Sequence, residues 1–170
     1  DEESARIAIQ APLTGHLVFR TLHTNDAPTT VTRLIDINIK PYLIAATVEA
    51  IISQRLVRKI CVWCKEEYEP SEESLMELNL TKADVTGKTF FKGKGCNNCN
   101  KTGYKGRMGI YEIMVINSEI RHLIIKQANT NTIRTAAKNN GMKTLRESGL
   151  KAVYNGLTTI HEVVRETILA

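Results

Sequence analysis

Aromatic residues are scarce in this chain of 170 residues: one Trp, five Tyr and three Phe, or 5% of the total. A module that binds single-stranded nucleic acid stacks bases on exposed rings. The scarcity weighs against that class, although the net charge is +5 and the pI near 9.1. Long hydrophobic runs are also missing. No apolar stretch approaches the roughly 20 residues of a membrane-spanning helix, and no basic-then-apolar leader pattern is present. Internal repeats and low-complexity tracts are absent as well. So is a phosphate-binding GxxxxGK[ST] loop. Thr86-Gly87-Lys88-Thr89 imitates its tail, but Lys82 stands where the first Gly is required, and no apolar strand precedes it. Nothing here cradles a triphosphate unaided. The opening Asp1-Glu2-Glu3-Ser4 has no initiator Met and reads as a cut through a longer protein.

What is present is an ordinary balance for a globular domain, with 42% hydrophobic and 24% charged residues. The length allows one core, or a core with a small satellite. Basic residues group only over Arg55 to Lys59 and Lys88 to Lys94, so most cations read as solvated faces.

The stretch from Thr14 to Pro28 organises the first part. Leu17, Val18, Phe19 and Leu22 form a short apolar run between turn signals, which predicts a buried strand. In an open α/β sheet, ligands sit beyond the carboxyl ends of the strands. His23, Thr24, Asn25 and Asp26 fall at that end. His16 lies at the other, roughly 23 Å away along an extended strand, too far for both imidazoles to reach one ligand in one subunit. His23 suits sensing or polarising a phosphate, and equally suits a hydrogen-bonded loop. His16 reads as a packing or subunit-contact residue, and His122 and His161 as helix-surface residues.

Around this stretch the pattern predicts a helix over Glu3 to Leu13, another opened by Pro28, and a third, buried, from about Tyr42 to Ile52. A short strand-like segment, Gln54 to Ile60, follows. Its Arg55 and Arg58, like Arg33 before them, are fixed charges that suit phosphate recognition but equally suit surface ion pairs. Composition changes at Cys61: the segment to about Tyr104 is polar, turn-rich and holds all four cysteines, with a helix start at Pro70-Ser71-Glu72-Glu73. Met108 to Ile116 predicts a strand returning to the core. Helices then begin at Asn117-Ser118, Asn131-Thr132, Thr144 and Thr158-Thr159.

Cys61-Val62-Trp63-Cys64 and Cys96-Asn97-Asn98-Cys99 are two CxxC pairs separated by 31 residues. Two such knuckles supply four thiolates, the set for a closed structural Zn²⁺ site with no open coordination position. Lys59, Lys65, Lys92 and Lys94 flank them and offset the negative charge of such a centre. A redox site needs one active dithiol, not two matched ones, and structural disulfides are disfavoured inside cells.

Taken together these residues resemble the secretion-superfamily hexameric ATPases, most closely the type IV pilus assembly (extension) ATPases, with the type II secretion ATPases as near relatives. Asp1-Glu2-Glu3-Ser4 resembles the tail of the family's Walker B stretch. Thr14-Gly15-His16 through Leu22-His23-Thr24-Asn25-Asp26-Ala27 resembles its histidine box, and Gln54-Arg55-Leu56-Val57-Arg58 its segment before the tetracysteine insertion. Gly103 to Arg107, Gly141 to Arg146 and Gly156 to Thr159 are similar to family segments too. The pilus retraction ATPases lack the tetracysteine loop.

The resemblance implies an α/β fold, the C-terminal part of a RecA-like P-loop ATPase core, with a tetracysteine zinc subdomain and a C-terminal helical region. Residues 1–60 would belong to the core, 61–107 to the tetracysteine zinc-binding subdomain, and 108–170 to a returning strand and helical subdomain. It further implies ATP and Mg²⁺ in the full-length enzyme and a homo-hexamer in the cytoplasm, peripheral to the inner membrane. The ring would turn an inner-membrane platform protein of a pilus or secretion machine, with no nucleic acid partner. By the same resemblance His23 approaches the γ-phosphate, and His16, Arg55 and Arg58 serve nucleotide or subunit contacts. The Walker A loop and Walker B glutamate would lie upstream of Asp1, leaving the 170 residues alone inactive. The reading of another class, a zinc-ribbon nucleic-acid module, predicts salt-sensitive binding to DNA or RNA.

Overall fold

Helix starts in this protein are written by local side-chain chemistry. The first-turn N–H groups of a helix lack intrahelical acceptors, and a short polar side chain at the N-cap supplies one. The computed structural model describes residues 7–9 and 11–167, and that device recurs along it. Asp26 caps α1 (Ala27–Asp36), with Pro28 in its first turn. Ser71 caps α3 (Glu72–Met76), Asn117 caps α4 (Ser118–Ile125), and Asn129 caps α5 (Thr130–Asn139). Thr144 and Glu147 exchange bonds in a capping box at α6 (Leu145–Tyr154). Thr159 accepts from Glu162 N at the start of α7 (Ile160–Thr167). Among these helices only α2 (Pro41–Thr47) begins without a side-chain cap bond, its Pro filling a first-turn position that needs no N–H.

The strands are β1 (Ala50–Ile60), β2 (Lys65–Tyr68), β3 (Phe90–Gly93) and β4 (Tyr104–Val115). β1 pairs with β4, and β2 with β3. The second pair is antiparallel, Lys65 facing Gly93 and Tyr68 facing Phe90. The architecture is mixed α/β, as expected.

The chain divides into two compact units. The first comprises residues 1–53 with 112–143, the second 54–111 with 144–170. The first unit buries Val31 and Leu34 of α1, Ile44 of α2, Met114 of β4, Ile120 and Ile124 of α4, and Ile133 of α5 in one cluster. The second buries Leu75, Val85, Phe90, Val153, Ile160, Val163 and Val164 together, and Val57, Ile110 and Leu145 beside one another. Phe90 meets Tyr154 edge-on, ring centroids 5.8 Å apart.

Two expectations are corrected. The run from Leu17 to Leu22 is not a strand: residues 16–24 have no regular structure, and Leu17 and Phe19 are 80% and 86% exposed. A strand exists only where a neighbour takes its N–H and C=O groups. None of the four described strands pairs with this segment. The third helix does not reach Ile52 but stops at Thr47, and Ala50 begins the eleven-residue β1. Ile51 and Ile52 are β-branched and stiff at χ1, and with β4 present the ladder wins over a further helical turn. The helix expected over Glu3 to Leu13 lies partly outside the described residues; within them, residues 7–9 are helical and Ala11–Thr14 form a 3₁₀ turn.

Candidate functional site

The four cysteines meet in the second unit. Their Sγ atoms all lie within 4.8 Å of one another. Cys61 to Cys96 is 3.8 Å, Cys64 to Cys99 3.9 Å, and Cys96 to Cys99 3.7 Å. A disulfide would need about 2.05 Å, and all four thiols are free. The edge of a tetrahedron whose centre-to-sulfur bonds are about 2.3 Å is about 3.8 Å. The cluster therefore has the dimensions of a four-thiolate site that could hold a metal ion.

Backbone amides support the sulfurs. Gly95 N donates to Cys64 Sγ (3.3 Å), while Cys96 N (3.2 Å) and Gly103 N (3.3 Å) both donate to Cys99 Sγ. The Cys96 amide, aided by Gly103, brings the Cys99 thiol down to about 6. Burial, reinforced by the neighbouring sulfurs, pushes Cys64 up to about 12. Four sulfurs this close do not all ionise beside one another without a cation among them; a bound metal ion removes that conflict. Close backbone packing makes the arrangement possible. A Cβ on Gly93 would stand 2.0 Å from the Gly103 carbonyl oxygen, and one on Gly103, at φ +79°, 2.5 Å from the Gly93 oxygen. Only glycine permits both.

The flanking lysines are engaged nearby. Lys94 and Lys92 reach Glu66 at 2.9 and 3.6 Å, and Lys65 lies 4.1 Å from the Phe91 ring centroid. Trp63, exposed at the tip of the first knuckle, has Lys105 over its ring at 4.6 Å.

Arg58 is placed by a carboxylate that sequence reasoning missed. Glu162, fully buried on α7, accepts from Arg58 N (2.9 Å) and Arg58 Nη2 (2.6 Å). Arg165 Nη1 adds a third approach at 3.3 Å. The Arg58 guanidinium also lies 4.2 Å from the Tyr104 ring centroid, and the Tyr104 hydroxyl is 2.9 Å from Thr159 Oγ1. The one available signal was an acid embedded among Ile160, Val163 and Val164 on a short apolar helix. Arg55, also on β1, is half-buried.

His23 and His16 belong to the first unit, both exposed. The residues after His23 are tied down: Thr24 Oγ1 is 2.7 Å from Thr30 Oγ1, and Asp26 Oδ1 accepts Thr29 N at 2.8 Å. Arg134 of α5 pairs with Asp26 Oδ2, and Glu112 of β4 accepts Ala27 N at 2.7 Å. Burial raises the Asp26 carboxyl, but the bonds from Thr29 and Arg134 outweigh it and hold the group below its usual range. Glu112 and Arg134 were also missed. Glu112 had a visible signal, an acid on the period-2 face shared by Ile110 and Met114, whereas Arg134 had none. The structure thus assembles the four cysteines and gives Arg58 a partner.

A four-cysteine cluster within a mixed α/β chain defines a narrow class, and comparison with known proteins supplies it. The family model described as type II/IV secretion system protein matches residues 1–165, and the chain belongs to that family. Among relatives, it is 47% identical over 168 residues to the type IV pilus assembly ATPase PilB of Thermus thermophilus, covering 99% of this chain and 19% of the relative. It is 40% identical over 167 residues to the type II secretion system protein E of Pseudomonas aeruginosa, covering 98% and 33%. The chain thus spans between about a fifth and a third of these relatives. Among solved structures, the pilus retraction motor PilT with bound ADP superposes with a TM-score of 0.62 at 26% identity, over 98% of this chain and 36% of that one. The ATPase DotB of Yersinia pseudotuberculosis gives 0.64 at 17% identity, over 100% and 35%, a likeness of fold.

Proposed function

We propose that this chain is the C-terminal part of a hexameric motor ATPase that couples ATP hydrolysis to type IV pilus assembly at the inner membrane. The observation that carries the proposal is the 47% identity, along nearly all of this chain, to a pilus assembly ATPase. Type II secretion is the second reading, favoured by relatives of that system at 40 to 41% identity. In either case residues 1–60 serve the RecA-like core, 61–107 the zinc subdomain, and 108–170 the returning strand and helical region. The run Leu17 to Leu22, with Leu17 and Phe19 exposed, has the composition of a core strand and finds no sheet partner among the described residues, which supports assigning it to a larger core. No described helix is long and apolar enough to cross a membrane. The proposed partner at the inner membrane is a platform protein of the pilus or secretion machine.

Cys61, Cys64, Cys96 and Cys99 would hold Zn²⁺, which supplies a structural cross-link between two segments of chain and leaves no position for substrate. ATP and Mg²⁺ supply the scissile phosphoryl group and its charge neutralisation. His23 would approach the γ-phosphate from a loop rigidly continued into α1, donating or accepting a hydrogen bond as its protonation allows. His16, Arg55 and Arg58 would serve nucleotide or subunit contacts. Arg58 has one face committed to Glu162, and its Nε is buried without a hydrogen-bond partner among the described residues. Phosphoryl transfer depends on a phosphate cradle and a metal-holding carboxylate, and the 170 residues contain no GxxxxGK[ST] loop. The isolated chain is therefore expected to turn over no ATP.

The test is complementation. The full-length protein should restore surface pili to a strain lacking its assembly ATPase, and His23→Ala should abolish that rescue. Restoration of protein secretion without pili would select the second reading, and a full-length protein without ATPase activity would sink both.

A further inference from the structure

The first turn of α1 holds more buried charge than a helix cap needs. One side-chain oxygen ordinarily answers the orphan N–H groups. Here two carboxylates from distant parts of the chain converge on it: Asp26, 3% exposed, on Thr29 N, and Glu112, 2% exposed, on Ala27 N. The second oxygen of Asp26 meets Nη2 of Arg134, whose Nη1 donates to Asn131 Oδ1 at 2.7 Å. The guanidinium is thus held flat between its own helix and the cap of α1, a geometry that a lysine cannot reproduce.

The chain just before this turn is held by short-range ties to it, while Leu22 packs against the core of the first unit and Ser53 Oγ donates to the Asn25 carbonyl at 3.4 Å. Residues 16–24 lie in no helix or strand, and His23 and Asn25 are exposed. Thr24 is tied through Thr30, whose hydroxyl also donates to the Asp26 carbonyl at 3.2 Å. Through Thr24, His23 is joined on its C-terminal side to the first turn of α1, and that turn is held by Glu112 of β4 and Arg134 of α5. We infer that Arg134 and Glu112 are positioning residues for His23, fixing where its imidazole stands against the nucleotide. The inference rests on the proposal that His23 serves the phosphate, but the placement itself is testable without it.

The experiment uses the full-length ATPase with variants Arg134→Ala, Arg134→Lys, Glu112→Gln, His23→Ala and the double variant His23→Ala with Arg134→Ala. Thr135→Ala, exposed on the same helix, is the control. Two readouts are taken: kcat and KM for ATP, and the rate at which diethyl pyrocarbonate modifies His23, followed by mass spectrometry. Arg134→Ala should lower kcat by about tenfold or more while KM stays within about twofold, because a misplaced group costs the chemical step more than binding. His23 modification should change by about threefold or more, the mark of a loosened supporting contact. Arg134→Lys should recover part of both losses, and the double variant should be no slower than His23→Ala alone. If Arg134→Ala fails to fold, Glu112→Gln, which keeps the shape and removes the charge, is read the same way.

Parent values of both kcat and His23 modification in folded Arg134→Ala and Glu112→Gln would overturn the inference. So would a double variant whose loss is the product of the two single losses. A silent His23→Ala would instead overturn the phosphate role, and the modification rates would then decide the positioning alone.

Discussion

Replacing Glu162 by Gln tests the physical account of the second unit most directly. The carboxylate is fully buried and takes two bonds from Arg58, at 2.9 Å from N and 2.6 Å from Nη2, with Arg165 at 3.3 Å. Gln keeps the shape and can still accept from Arg58 N. Its amide nitrogen, however, then faces guanidinium donors, and a charge-assisted bond is replaced by donor against donor. Such bonds contribute roughly 1.5–3 kcal/mol. Removing one partner of a deeply buried pair costs about 3–5 kcal/mol, but Arg58 and Arg165 are 37% and 47% exposed and can turn to water. The expected loss is therefore near the lower figure, about 2 kcal/mol, or a fall in Tm of about 4–8 °C for a protein of this size. The variant carries a second signature in pH. Burial alone raises the Glu162 carboxyl, yet the bonds and charge of Arg58, with Arg165, bring it net below its ordinary 4.5. A carboxyl lowered by folding binds fewer protons in the native state. Its contribution is complete above the unfolded value and fades as pH falls toward the native one. Urea denaturation followed by circular dichroism between neutral pH and about pH 4 should show the parent losing more stability on acidification than Glu162→Gln. Equal stabilities at neutral pH, or parallel acid slopes, would refute the reasoning.

Three further predictions concern the cysteine cluster and the helices. Metal analysis of the parent should find one tightly held zinc per chain, and Cys99→Ser should lose it; a parent whose four thiols react freely in its native state would contradict the site. Gly103→Ala should cost about 1–3 kcal/mol from the left-handed backbone alone and loosen metal retention, because its Cβ would press on the Gly93 carbonyl; unchanged retention under a chelator would count against the role given to that approach. Gly149→Ala should destabilise by about 1–3 kcal/mol through overpacking, since a Cβ there would come within 2.6 Å of Val163 Cγ1. A neutral effect on Tm would show that α6 and α7 yield more easily than their packing implies.

Local chemistry alone determined a good deal of this protein. Caps at Asp26, Ser71, Asn117 and Thr144 act within three residues of themselves, and their helices begin where the sequence places them. That the two CxxC pairs could together hold a metal ion was equally plain, because each knuckle is a four-residue unit and the count of thiols matches one tetrahedral ion. Tertiary structure decided what local pattern left degenerate. Ala50, Ile51 and Ile52 suit a buried helix or a strand equally, and pairing with β4 chose the strand. The apolar run at Leu17 became no strand at all, since hydrogen bonding belongs to pairs and not to single segments. The same limit hid the charged groups that matter most. Glu162 meets Arg58 across 104 positions of sequence and Arg134 meets Asp26 across 108. Such an ion pair is a property of two distant residues brought together by the fold, and neither residue's local sequence names its partner.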